Sequence, residues 1–242
     1  MEQFIVEKRF STIEEISETF HIHPNTARAD IRELAERGVV QRRYGGIEYA
    51  APNLQISFDE RRMKNVAAKK EIGRKAAALL EEDDIIYVDT GSTAIQLLQS
   101  GNALPQRLTV ISSSLEVLQS IAMTTDYTLF ALPGQLNRQI NAFVSLETLE
   151  SLKTYNIQKC FIGARGISAR GELSSASSID AKIKKTAIDV SQTVVLMADR
   201  HKVEESALFN FSTLSKVDYW VCDESTPLIE TLSRNYNLQL VI

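Results

Sequence analysis

The chain has 242 residues, 44% of them apolar and 24% charged, with 27 Lys and Arg against 31 Asp and Glu for a net charge of −4. That length suits one small domain plus one of ordinary size, the composition is that of a soluble globular protein, and no stretch approaches the ~18 apolar residues of a membrane span. The two cysteines, Cys160 and Cys222, lie in apolar, strand-like runs and read as buried thiols; with no secretory leader at the N-terminus, a reducing cytoplasm is the expected compartment.

Met1–Phe10 is expected to form a short first helix with Phe4 and Ile5 inward. Ile13, Ile16 and Phe20 follow at helical spacing, with Thr12 placed to cap and Glu15 placed to close a capping box. Pro24 suits the first turn of a second helix, in which Ala27, Ile31 and Leu34 form a narrow apolar stripe. Asn25, Arg28, Ala29, Arg32 and Glu36 lie on the other side. Gly38 ends this helix, and Val39–Tyr49 reads as a hairpin with Arg42 and Arg43 near its tip. A short helix with an outward Asn/Arg face fits the DNA major groove; the plainer reading is a helical hairpin with a solvated charged face. Although the chain is acidic, residues 22–47 hold five arginines against three acids. That excess is small, so a homodimer or homotetramer would be needed to multiply contacts.

These residues resemble a known pattern. The runs I-x-x-I-x-x-x-F, H-P-N-T-A-R-A-D-I-R-E-L and R-R-Y-G-G are similar to the winged helix-turn-helix of the DeoR family of bacterial transcriptional regulators. Thr26, Arg28, Asp30, Leu34, Gly38, Arg42, Gly45 and Gly46 match that pattern, while His23, Ala29 and Tyr44 replace its usual Ser, Arg and His. The resemblance implies that Asn25, Thr26, Arg28, Arg32, Arg42, Arg43 and Tyr44 contact double-stranded operator DNA.

Residues 50–57, with Pro52 and no periodicity, read as a linker between a winged domain over 1–49 and a second domain over 58–242. From Phe58 onward, a helical pattern with Ile72, Ala76, Leu79 and Leu80 inward precedes an alternation of strands and helices. Strands are expected at Ile85–Val88, Leu108–Ile111, Tyr127–Leu132, Lys159–Ile162, Val194–Ala198, Tyr219–Cys222 and Leu238–Ile242. Helices are expected at Thr93–Gln99, Leu115–Ala122, Ala142–Leu152, Ile179–Val190 and Pro227–Asn235. The alternation predicts a mostly parallel α/β sheet with ligands bound beyond the carboxyl ends of its strands.

Four loops at those ends carry polar groups: Asp89–Thr93, with Gly91, Ser92 and Thr93 leading into a helix; Ser112, Ser113 and Ser114; Gly163–Gly166, with Arg165; and the run holding Asp199 and Lys202. Hydroxyl-rich turns at helix starts bind anions, although Ser or Thr there is more often only a cap. A carboxylate, two such turns and a lysine on one rim suit a phosphorylated sugar or polyol. F-x-x-R at Phe58–Arg61, K-x-x-I at Lys69–Ile72, D-T-G-S-T, Gly134, F-I-G-A-R-G-I, D-A-K-I-K at Asp180–Lys184 and D-R-H-K resemble the DeoR effector domain. That resemblance implies a fold like ribose-5-phosphate isomerase and coenzyme A transferases, a role as a sugar-metabolism repressor released by its ligand, and ligand contacts from Gly134, Asp180 and Lys184. Departures from the family pattern cluster here, at Ser112–Ser114, Pro133, Ser145 and the short acid Asp180. Two alternatives stay open. One is a sugar-phosphate isomerase or hydrolase with Asp89 or Asp180 as base and Lys202 as its electrostatic partner; the other is a regulator that senses nothing. No metal ligands, cofactor or catalytic triad are legible, and His21 and His23 read as surface or capping groups.

Overall fold

The computed structural model describes residues 1, 4–5, 8, 10–36, 40–43, 45–49, 57–100 and 104–242, with only the backbone for 36, 41–43 and 48–49. The chain divides into two compact units, Met1–Gln55 and Ile56–Ile242. Gly38, Tyr44 and linker residues 50–56 lie outside the described residues.

In the first unit, β1 (Phe10–Ser11), the helices Ile13–Phe20 and Pro24–Glu36, β2 (Val40–Arg43) and β3 (Gly46–Tyr49) follow in order. The strands form an antiparallel sheet in the order β1-β3-β2, which with the two helices makes a winged helix-turn-helix. Its core is Ile5, Ile16, Ala27, Ile31, Leu34, Val40 and Ile47, so the apolar stripe of Pro24–Glu36 is the buried one. Thr12 caps its helix by accepting the Glu15 N–H at 3.1 Å. The expected capping box is only half made, because the Glu15 carboxylate pairs with Lys8 instead. His21 ends that helix in the left-handed region at φ 51°, and His23 Nδ1 accepts the Asn25 N–H at 3.3 Å. The glycine pair divides two tasks: Gly45 takes φ 84° in the turn, and a Cβ on Gly46 would stand 2.6 Å from the Ser11 carbonyl oxygen.

The second unit is built on seven parallel strands, β4 (Asp84–Val88), β5 (Leu108–Ser112), β6 (Thr128–Ala131), β9 (Ile157–Ile162), β12 (Ser191–Met197), β14 (Tyr219–Val221) and β15 (Gln239–Val241). Their order is β15-β14-β12-β9-β4-β5-β6, and every pairing is parallel. All seven correspond to the expected strands. The five inner strands are largely apolar because both their faces are covered and successive residues serve opposite layers, whereas the edge strands β6 and β15 are partly exposed. Tyr87, Cys160, Leu196 and Trp220 enter one core, while Ile86, Val88, Phe161, Val195 and Val221 enter the other.

Several expectations are corrected. The helix expected at Thr93–Gln99 is a 3-10 turn, Ala94–Leu97. The one expected at Ala142–Leu152 is split: β8 (Ala142–Val144) pairs with β7 (Gln135–Asn137), Ser145 caps, and only Leu146–Leu152 is helical. The stretch after residue 57 holds two helices, Phe58–Met63 and Val66–Ala77, broken at Lys64 and Asn65. A further antiparallel sheet, β10 (Gly166–Ile167), β11 (Glu172–Ser175) and β13 (Phe209–Thr213), has no counterpart among the expected strands.

Candidate functional site

After β4 the chain lays β5 and β6 on one side and then returns to place β9, β12, β14 and β15 on the other. The order therefore reverses between β4 and β9, the place where open α/β sheets bind ligands beyond the strand ends. Asp89 follows β4 there, fully buried. Its Oδ2 accepts the Gly163 N–H from the end of β9 at 3.0 Å and an ion pair from Lys184. Glycine at 91 and 163 leaves this carboxylate room, since a Cβ would stand 3.2 and 3.5 Å from its Oδ2.

Lys184 lies on the helix Ser178–Asp189 and also donates to the Gly163 carbonyl at 3.2 Å. Burial alone would lower its pKa, but Asp180 and Asp89 outweigh that and hold it above the ordinary lysine value. Asp180, one turn earlier, accepts from Thr90 Oγ1 at 3.0 Å and Ser175 Oγ at 2.6 Å. Asp89, Lys184 and Asp180 thus form a satisfied buried wall, apart from Asp89 Oδ1, which has no partner among the described residues.

In front of this wall the charges are mostly positive. Arg61, Lys69, Arg165 and Lys202 act on one another and on Asp89, Asp180 and Asp199. Burial first, and the neighbouring cations next, lower Lys69 to about 8 and Arg165 to about 10. Burial also leads the lowering of Lys202 and Arg61. Lys69 Nζ additionally holds the end of the helix Phe58–Met63, donating to the carbonyls of Arg61 and, at 2.6 Å, Lys64. Arg61 Nε is buried without a partner among the described residues. Asp199 closes the rim, fully buried, its Oδ1 accepting the His201 N–H at 3.1 Å while Oδ2 stays unpartnered among the described residues.

Other expected residues sit differently. Ser92 and Thr93 are buried at the loop, but the four-residue 3-10 turn after them gives no helix dipole to seat an anion. Ser112 Oγ is committed to the Val88 carbonyl at 2.7 Å. Ser114 Oγ caps the helix Leu115–Thr124 through the Val117 N–H at 3.4 Å. Ser113 is buried between them. Gly134 is exposed at φ 149°, where a Cβ would stand 2.6 Å from the Val144 nitrogen, so it serves the β7–β8 hairpin. Arg61, Asn65, Lys69, Thr90, Ser175 and His201 join the site without having been chosen for it. Arg61, Lys69, Thr90 and His201 belong to the family-like motifs F-x-x-R, K-x-x-I, D-T-G-S-T and D-R-H-K; Asn65 and Ser175 carry no sequence signal, because their contacts are made only by folding.

On the winged unit, Asn25, Thr26, Arg28 and Arg32 are all exposed, and Arg28 donates to Asn25 Oδ1 at 3.1 Å. Arg42 and Arg43 occupy the last rungs of the β2–β3 hairpin, opposite Ile47 and Gly46. Among the described residues no helix is long and apolar enough to cross a membrane, no group of His, Cys, Asp and Glu could hold a metal ion, and both cysteines are buried and free.

Comparison with known proteins matches residues 1–53 to the DeoR-like helix-turn-helix domain and residues 64–224 to the DeoR C-terminal sensor domain. Among curated relatives, the HTH-type transcriptional regulator IolR of Bacillus subtilis is 24% identical over 90% of this chain and 86% of its own length. The glycerol-3-phosphate regulon repressor of Escherichia coli is 24% identical, covering 98% and 94%. The transcriptional repressor GlcR of Bacillus subtilis is 26% identical, covering 96% and 90%. Among solved structures, ribose 5-phosphate isomerase A of Methanocaldococcus jannaschii aligns at a TM-score of 0.42 and 20% identity, over 58% of this chain and only 55% of that one.

Proposed function

This chain belongs to the DeoR family of DNA-binding transcriptional regulators, and we propose that its α/β unit senses a phosphorylated sugar or polyol in the crevice between β4 and β9. Ligand binding would release the winged unit from an operator of sugar metabolism. The observation that carries this reading is the group of partly buried cations, Arg61, Lys69, Arg165 and Lys202, beside two buried carboxylate oxygens with no donor among the described residues. Cations that depress one another's pKa are relieved by an anion, and a phosphate dianion repays its desolvation with charge-assisted hydrogen bonds. Asp89 Oδ1 and Asp199 Oδ2 can only accept, so the uncharged part of the ligand must donate, as hydroxyls do.

The same contacts support sensing rather than catalysis. Asp180, a candidate base for an isomerase, is occupied by Thr90 and Ser175, and Asp89 is held by Lys184 and Gly163. In the winged unit, Asn25, Thr26, Arg28 and Arg32 would enter the major groove, with Arg42, Arg43 and Tyr44 gripping phosphates. The Asn25–Arg28 hydrogen bond would be exchanged for base edges. We take the working form to be a cytoplasmic homodimer or homotetramer, because two recognition helices spaced by a DNA turn multiply a modest charge excess. To regulate, the effector must bind the DNA-free state better than the bound one.

A thermal-shift and calorimetry panel of phosphorylated sugars and polyols on the full chain tests the sensor. A true effector at 100 times its dissociation constant adds about 2.7 kcal/mol of stability. If no member of the panel binds, while the protein still binds selected DNA, the crevice is not a sugar-phosphate site.

A further inference from the structure

Asn65 stands between the helices Phe58–Met63 and Val66–Ala77 with φ 51°, in the left-handed region. Asparagine is among the best residues at a helix N-cap, yet its side chain makes no cap bond to the helix it precedes. Instead Nδ2 reaches across the fold to Asp199 Oδ1 at 3.4 Å and lies 3.4 Å from His201 Nδ1. The His201 N–H and ring Nδ1 meet the same Oδ1 at 3.1 and 3.2 Å. Every partner of this fully buried carboxylate therefore converges on one oxygen, and Oδ2 has none among the described residues. The same carboxylate acts on Lys69 and Lys202, so it borders the cation group.

We propose that Asn65 is a positioning residue for Asp199, and that Asp199 Oδ2 accepts a hydroxyl of the effector, distinguishing a phosphorylated polyol from bare phosphate. The proposal rests on the reading of the crevice as a sugar-phosphate site. An ionised carboxylate oxygen only accepts, and buried without a donor it is costly. A ligand hydroxyl supplies that donor, while the ligand's phosphate occupies the cations alongside. Asn65 turns the carboxylate by engaging Oδ1. Glycine would occupy the left-handed region without a Cβ penalty, so what the asparagine side chain adds is its reach to Asp199.

The substitution Asn65→Gly separates the two roles. Calorimetry on the full chain would use inorganic phosphate, glycerol 3-phosphate and ribose 5-phosphate as probes, alongside urea unfolding. The wild type is expected to prefer the hydroxylated probes over inorganic phosphate. Asn65→Gly should leave phosphate affinity and the unfolding midpoint unchanged and cut the preference by about tenfold, the scale of one hydrogen bond to a charged group. Asp199→Asn should cut the preference as well. An unchanged preference in Asn65→Gly overturns the proposal, as does a lowered midpoint with all three affinities falling together, which would make Asn65 structural. If the wild type binds inorganic phosphate without preferring a hydroxylated probe, the anion site stands and the role of Asp199 falls. If it binds none of the probes, the sugar-phosphate reading falls with it.

Discussion

At the scale of residues, the buried pair Lys184–Asp89 ties the helix Ser178–Asp189 to the end of β4. Removing one partner leaves an uncompensated charge in the sheet crevice, so Lys184→Met should lose about 3–5 kcal/mol in urea unfolding. Adding Asp89→Asn should restore part of that loss, because the stranded charge is gone; a single variant as stable as wild type would refute the pairing. Lys69 gives a pH prediction. Its folded pKa of about 8 lies below the ordinary lysine value. The folded state therefore sheds this proton first, and the free protein gains stability as pH rises from 8 toward the unfolded pKa. Phosphate is a dianion throughout this range and favours the charged ammonium, so its affinity should run the other way. Calorimetry should show phosphate affinity falling above pH 8 in wild type and a flatter profile in Lys69→Met; equal slopes would exclude Lys69. At this scale the sequence was informative where chemistry sits in short runs, as at Asp89, Asp180–Lys184 and Asp199–Lys202. It was silent on Asn65, whose partner lies 134 residues away.

At the scale of elements, legibility followed length and burial. The seven strands of the parallel sheet each hold an apolar run, covered on both faces in the five inner strands, so each was visible without its neighbours. Strands such as β8, β10 and β11 span two to four residues and exist through their partners, which gives no period to read. The run after Asp89 has apolar residues at helical spacing, but only Ala94–Leu97 closes, as a 3-10 turn. A six-residue helix, Phe58–Met63, carries Arg61, and Lys69 holds its carbonyl end. In the winged unit, Gly46 is fixed by the approach of β1 rather than by a turn. Gly46→Ala would drive a Cβ to within 2.6 Å of the Ser11 carbonyl oxygen and 2.7 Å of the Phe10 ring. We expect that variant to lose operator affinity while its calorimetric response to effector stays intact; unchanged DNA binding would show that the β1–β3 contact yields without consequence.

For the molecule as a whole, the division into a winged unit and an α/β unit makes two separable readouts. The winged unit should bind DNA largely through phosphates, with a steep salt dependence of about −0.9 in log–log slope per phosphate neutralised. Arg42→Ala should reduce that slope by about one and weaken all sequences alike, whereas Arg28→Ala should also relax sequence preference. Light scattering should report a dimer or tetramer, and a monomer with and without DNA would remove the two-fold reading. The central claim is that occupancy of the crevice governs the winged unit. Its most direct test is an anisotropy titration of DNA selected from a random pool, with and without the tightest binder from the phosphorylated sugar panel. Wild type, Arg61→Gln and Lys202→Ala should bind that DNA equally in the absence of ligand. Ligand should then weaken wild-type binding by about 5- to 150-fold, the usual scale of coupling, and leave both variants unmoved. Variants that respond as wild type does, or a wild type whose DNA affinity no bound ligand changes, would contradict the account.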